Sequence, residues 1–302
     1  MSQTREPVLP TVELARIAAA IERLIPASEP VDWAHADAAE WRYVSDVGRL
    51  CPHPRIDGVS LTDLIGIDRQ KQAIDLNTRQ FLAGLPANNV LLWGARGSGK
   101  STLMHALLNE YRAHGLRLVQ IDKTAMVRLA ELAELLASEP YRFVLFFDDL
   151  SFEAEDASYK ALKSALEGSV FKGMENLLIY ATSNRRHLLP EYASDNAGSR
   201  VEGVELHHGE AVEEKISLSD RFGIWLSFYA FPQDDYLRIA SHWVAVLAER
   251  HQVRAPFDDD ARAEALRWAL ARGGRSGRVA QQFARHWVGS RGLSASRSTS
   301  AG

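Results

Sequence analysis

The octapeptide Gly94-Ala95-Arg96-Gly97-Ser98-Gly99-Lys100-Ser101 combines residue types that together suit one task, holding phosphate. It follows the apolar run Asn89-Val90-Leu91-Leu92-Trp93 and leads, through Thr102, into a stretch with helical spacing. Between a strand and a helix, the glycines let successive backbone N–H groups curl around phosphate oxygens without Cβ clashes. Lys100 has the reach for β- and γ-phosphates, and the Ser101 hydroxyl is a suitable Mg²⁺ ligand. A bound nucleoside triphosphate is the expectation.

Five residues downstream could complete that chemistry. The apolar run Phe143-Val144-Leu145-Phe146-Phe147 ends in Asp148-Asp149. An acid at the end of a strand beside the loop can hold Mg²⁺, and its neighbour can orient or deprotonate a water. Two acids capping a turn is the competing reading. Asn184, just after Leu177-Leu178-Ile179-Tyr180-Ala181, could hydrogen-bond the attacking water or the γ-phosphate; it could equally be a turn residue. Arg221 precedes the last expected strand, where a guanidinium can neutralise charge on a neighbouring subunit's phosphate or simply pair with Asp220 or another acid. Arg278 opens a helix after Gly273-Gly274-Arg275-Ser276-Gly277 and could swing toward the phosphates from a separate domain.

These side chains need a scaffold, and the hydropathy pattern supplies one. From residue 61 onward helical and strand patterns alternate: helix 68–83, strand 89–93, helix 99–113, strand 116–121, helix 125–137, strand 142–147, helix 158–167 and strand 177–182. A fifth strand fits Ile224–Tyr229. Alternation of this kind means a parallel sheet with helices on both faces. Three helices follow, near 233–250, 259–271 and 276–288, with Trp243 and Trp268 as packing anchors. Before residue 61 the reading is helical, with one helix over 11–25, a second over 36–46 carrying Trp41 and Tyr43, and a linker from Cys51 to Gly58. Residues 290–302 read as a disordered tail and 190–217 as a surface excursion.

Composition narrows the setting. Of 302 residues, 46% are apolar and 25% charged, which suits an ordinary globular chain of one or two domains. Cys51 is the only cysteine, so an intramolecular disulfide is excluded. His207-His208 reads as a solvated pair more readily than as a metal site. No segment approaches the roughly 20 apolar residues a membrane helix requires, and a cytoplasmic protein is the expectation. The net charge of −4 argues against a protein built to coat nucleic acid. It is unevenly spread: from His251 onward nine arginines face four acids, so this end is basic and the remainder strongly acidic. A solvated helical face explains that, as does a basic lid facing phosphates, a protein partner or nucleic acid.

The succession of loop, acid pair, Asn184, Arg221 and Arg278 resembles the AAA+ ATPases. More narrowly, Leu64-Ile65-Gly66-Ile67-Asp68, Asp148-Asp149-Leu150-Ser151-Phe152 and Glu214 to Gly223 are similar to a bacterial AAA+ family of unassigned function. The resemblance covers roughly residues 60–288. It implies an α/β fold with a P-loop NTPase sheet of AAA+ type over 61–231, a helical lid over 232–289 and a helical N-terminal region over 1–60. It also implies ATP and Mg²⁺ as ligands. Leu64, Ile65 and Gly66 would border the adenine, Asn184 would be sensor 1, Arg221 an arginine finger acting in trans on a self-associated neighbour, and Arg278 sensor 2. Most AAA+ enzymes have Glu where Asp149 stands; the Asp-Asp pair and Asp220-Arg221-Phe222-Gly223 are similar to the initiator and helicase-loader branch. Three functions follow as expectations: an ATPase that remodels an unknown partner, an ATP-dependent loader or adaptor with slow hydrolysis as its timer, and a small-molecule kinase.

Overall fold

In a computed structural model of the chain, residues 30–44, 47–53, 58–152, 157–167, 174–185 and 220–299 are described, together with Arg16 and Leu218. The strand Arg142–Phe147 (β5) sets the architecture. Its alternate side chains enter two separate cores: Val144 and Phe146 on one face, Phe143, Leu145 and Phe147 on the other. The neighbouring strands Leu116–Ile121 (β4), Leu177–Ser183 (β6) and Val90–Gly94 (β3) divide in the same way, Leu118, Tyr180 and Leu92 opposing Val119, Ile179 and Leu91. Burial on both faces explains why these segments read as continuous apolar runs. Full burial of one such side chain contributes roughly 1.5–3 kcal/mol before ordering costs.

The first face is covered by helices Asp68–Leu82 (α1) and Lys100–Tyr111 (α2), through residues such as Ile74, Phe81, Leu103 and Leu107. Helices Leu129–Leu136 (α3) and Ala157–Leu166 (α4) cover the second through Leu132, Leu136 and Leu162. The seven strands lie in the order β2-β1-β4-β5-β6-β3-β7, with β1 at Ala38–Val44, β2 at Val47–Pro52 and β7 at Ile224–Phe228. All neighbours are parallel except β1 and β2. The carboxyl ends of β3, β5 and β6 therefore emerge on one edge. The acid-bearing β5 is not next to β3, because β6 lies between them.

Two corrections concern the ends. The helix expected over 36–46 is instead the strand Ala38–Val44 (β1), and the supposed linker begins inside a second strand, Val47–Pro52 (β2). Ala38-Ala39-Glu40 favours helix locally, but β1 pairs in parallel with β4 and buries Trp41 completely beside α3, which overrides the local preference. The expected disordered tail from 290 is helical as far as Thr299, because helix Gly277–Thr299 (α7) continues past it. The expected helix over 11–25 (apart from Arg16), His207-His208 and the excursion over 190–217 lie outside the described residues.

The lid consists of Gln233–His251 (α5), Asp259–Ala271 (α6) and α7. Phe283 is fully buried among them, and the Tyr236 hydroxyl donates to the Ala265 carbonyl at 2.9 Å. Burial pushes the Tyr236 phenol up to about 12, so it remains a donor across the ordinary pH range. Ile239 and Phe231 join this bundle to Leu64 and Ile67 in one core. No helix among the described residues is long and apolar enough to cross a membrane.

Candidate functional site

The loop's sequence is dictated by its surroundings. A Cβ at Gly94, where φ is +126°, would fall 2.0 Å from the Phe228 carbonyl oxygen, so β7 leaves no room for any other residue. The Ala95 N–H then donates to that same oxygen at 2.9 Å. Gly97 and Gly99 follow with φ of +71° and +99°, the left-handed turn from which anion-binding concavities are built. The buried Ser98 hydroxyl braces the loop by donating to the Ala95 carbonyl at 2.8 Å. At Lys100 the chain enters α2.

Lys100 is almost wholly buried and points back into the loop, where its ammonium donates to the Gly94 and Ala95 carbonyls at 2.8 and 2.9 Å. It also donates to Asn184 Oδ1 at 3.2 Å. Burial lowers its pKa; Asp149 and Asp148 oppose that shift, while Arg278 and Arg96 reinforce it. The Ser101 hydroxyl donates to Asp148 Oδ1 at 2.6 Å. Thr182 on β6 donates to the same carboxylate oxygen at 2.6 Å and accepts from the Asp149 N–H at 2.8 Å. The Asn184 amide donates to Asp149 Oδ1. Asp149 itself has φ of +54°, a conformation that Asp tolerates better than most residues. Asn184 thus bridges lysine and acid, as the intervening position of β6 requires.

These groups line a cavity of about 480 Å³ between sheet and lid. Leu64, Ile65, Ile67, Phe231, Ile239 and Trp243 supply apolar walls; Arg96, Gly97, Ser98, Gly99, Ser101 and Thr102 supply the loop side. Arg278 reaches the cavity from α7, and its backbone N–H donates to the Gly97 carbonyl at 3.3 Å. Gly66, Gly94 and Ala95, expected at the site, do not line this cavity: Gly66 packs under Phe231, while Gly94 and Ala95 present their carbonyls to Lys100. Arg221 is not brought to it either, and pairs with Glu167 at 2.5 Å.

Sequence reasoning missed Thr182, Asp63 and Gln281, and read Trp243 only as a packing anchor. Thr182 stands two residues before Asn184, which was its only signal. Asp63 accepts from the Ser60 backbone N–H at 2.8 Å and lies 2.9 Å from His242 Nε2 on α5, tying sheet domain to lid at the cavity's apolar end. Burial alone raises its pKa, but the bonds from Ser60 and His242 outweigh that and hold the carboxyl below its ordinary value.

The donor set suits a magnesium–triphosphate pair. A cationic amine, a left-handed glycine turn and a hydroxyl–carboxylate couple converge on one edge, with room for a base between apolar walls. Among the described residues no group of three or more His, Cys, Asp or Glu could hold a metal unaided. A cation here therefore needs oxygens from a ligand, as Mg²⁺ in phosphate sites does.

A family model described as "Protein of unknown function (DUF815)" matches residues 34–291. The chain belongs to the DUF815 family. Among solved structures, this DUF815 chain resembles a mutant of the Thermotoga maritima protein RuvB (20% identity, TM-score 0.50, 75% of this chain and 63% of that one). It also resembles the Aeropyrum pernix ORC1 protein, solved in complex with DNA (14% identity, TM-score 0.50, 72% of this chain and 58% of that one). At such identities the likeness shows the fold, which is that of the AAA+ ATPases. A 64-residue stretch is 38% identical to the replication factor C large subunit of Methanococcus vannielii, covering 21% of this chain and 13% of that protein. The DUF815 chain thus spans less than two thirds of each of these relatives.

Proposed function

We propose that the chain binds Mg²⁺-ATP between sheet and lid and hydrolyses it slowly, coupling nucleotide state to the position of the lid against a partner. The observation that carries this reading is the Asn184 bridge, which joins the loop lysine to the second acid of the pair.

Each residue's part follows from its contacts. Lys100 exchanges its loop carbonyls for β- and γ-phosphate oxygens, a charge-assisted gain that offsets its burial. Ser101 and Asp148 hold the metal, with Thr182 fixing the carboxylate's orientation. When bound, Mg²⁺ neutralises charge on the β- and γ-oxygens during transfer. Asp149 accepts a hydrogen bond from the attacking water and draws its proton away as the water oxygen bonds to the γ-phosphorus and the bond to the β-phosphate oxygen breaks. Arg278 answers the γ-phosphate from the lid, so lid position depends on the nucleotide. The Asp149 carboxylate is short and already engaged by Asn184, which supports a switch rather than a fast motor. Arg221, acting on a neighbour, makes turnover depend on self-association.

The Asp149→Asn protein tests the reading. Calorimetry with ATP and magnesium should give wild-type binding, and phosphate release should fall by at least about a hundredfold. Unchanged release, or a folded wild-type chain that takes up no ATP, overturns the proposal.

A further inference from the structure

A second cavity, of about 260 Å³, lies against another side of the phosphate loop. Arg96, Arg272 and Arg275 line it, together with Ser98, Ser276 and Tyr229, and among the described residues no acidic side chain does. Nucleotide chemistry at the first cavity makes no use of Arg272, Arg275 or Tyr229.

Two features of this lining call for a ligand. Among the described residues no carboxylate pairs with any of the three arginines, although the chain as a whole is acidic. The Arg272 guanidinium is held instead over the Trp268 ring, 3.5 Å from its centroid, and Trp268 stacks in turn on His286. The charge is therefore positioned by aromatic packing, with no carboxylate partner among the described residues. Tyr229, just past the end of β7, is 67% exposed and stands edge-on to Trp93 at 6.3 Å. Water surrounds most of that ring, at the rim of a cationic cavity. The loop between α6 and α7 adds Gly273 and Gly274, where a Cβ would meet nothing within 4 Å, so the approach is open.

We propose that this cavity binds single-stranded nucleic acid, the arginines gripping backbone phosphate and Tyr229 carrying a base. Inorganic phosphate or an acidic peptide would use the guanidinia and leave the ring idle; a nucleotide unit uses both. A strand with unpaired bases is required, because a duplex keeps its bases stacked on each other and away from the ring. Guanidinium forks suit phosphate, and aromatic stacking tolerates any base, so binding is sequence-tolerant. The proposal does not depend on ATP hydrolysis.

Fluorescence anisotropy of a labelled single-stranded oligonucleotide of about 15 nucleotides tests it on the full chain. Three phosphate contacts give log affinity against log salt a slope near about −2, and Arg272→Gln/Arg275→Gln should flatten it by about 1.4. Tyr229→Ala should weaken binding roughly five- to a hundredfold at unchanged slope, and Tyr229→Phe should restore it. The lysine pair Arg272→Lys/Arg275→Lys should keep most of the slope, which separates lost charge from lost fold. Calorimetric ATP binding is expected to be unchanged in all four variants. Wild-type affinity in the glutamine or alanine variant overturns the proposal. So does equal binding of a duplex or of polyglutamate.

Discussion

Ser101 and Asp148 lie 47 residues apart and meet at 2.6 Å, the hydroxyl from the first turn of α2 donating to a carboxylate just past the end of β5. Since β6 separates β5 from β3, the pair spans an intervening strand. In the proposed reading the pair would form part of a metal position that phosphate oxygens complete. Ser101→Ala should therefore lower ATP affinity about tenfold, ~1.4 kcal/mol, in magnesium and leave it unchanged in chelator. Titrating both conditions by calorimetry checks the difference; equal losses in each would point to a damaged loop.

Thr182 makes a prediction that is half structural. Its hydroxyl is buried, orients Asp148 and satisfies the Asp149 N–H. Thr182→Val keeps the shape and removes both bonds, stranding a backbone donor at a cost of about 1–3 kcal/mol. Magnesium affinity in the presence of ATP should fall by about 10- to 100-fold, the usual penalty for losing a group that orients a metal ligand. Denaturant melts and magnesium titrations read the two effects separately. A stable variant with normal magnesium dependence removes Thr182 from the site.

The residues that announced themselves in the sequence are those whose role is local. The glycines, Lys100 and Ser101 act through one turn, and β5 was legible because five consecutive apolar residues suit burial on both faces. Thr182, Asp63 and Trp243 matter only because the strand order and the lid bring them to the same edge, and no spacing encodes that. β1 was hidden for the opposite reason. Ala38, Ala39 and Glu40 are good helix formers, and only pairing with β4 and the pocket that Trp41 fills make them extended. Arg221 shows a third limit, since the sequence left its pairing open and Glu167, 54 residues earlier, is the partner the fold provides.

That ion pair divides the two roles open to Arg221. Both side chains are partly exposed, so the pair adds little stability, on the order of 0–1 kcal/mol. If Arg221 serves a neighbouring subunit, Arg221→Ala should lose turnover about a thousandfold with ATP binding intact. Specific activity of the wild type should rise with protein concentration. Glu167→Gln should remove one partner of the guanidinium and shift that rise to lower concentration. Flat specific activity, with a small loss of melting temperature in Arg221→Ala, assigns the residue to the ion pair alone.

Asp63 and His242 fasten the lid to the sheet domain, and the acid sets how that fastening responds to pH. The folded carboxyl titrates below the ordinary value of 3.8. A depressed carboxylate pKa means that the unfolded chain binds the proton more readily, so the stabilisation is fully present above 3.8 and disappears as pH falls through the lower folded value. His242, Ser60 and Thr62 are the polar neighbours; His242 bonds Asp63 directly, while Thr62 acts through the Ser60 hydroxyl. Asp63→Asn should lower the melting temperature at neutral pH and erase this part of the acid sensitivity, so that the two melting curves converge as pH falls through the lowered folded value. Tryptophan fluorescence, to which Trp243 beside His242 contributes, offers a probe of lid docking along the same titration. Parallel curves for variant and wild type across the acid range would mean that Asp63 acts through the Ser60 turn and not through the lid.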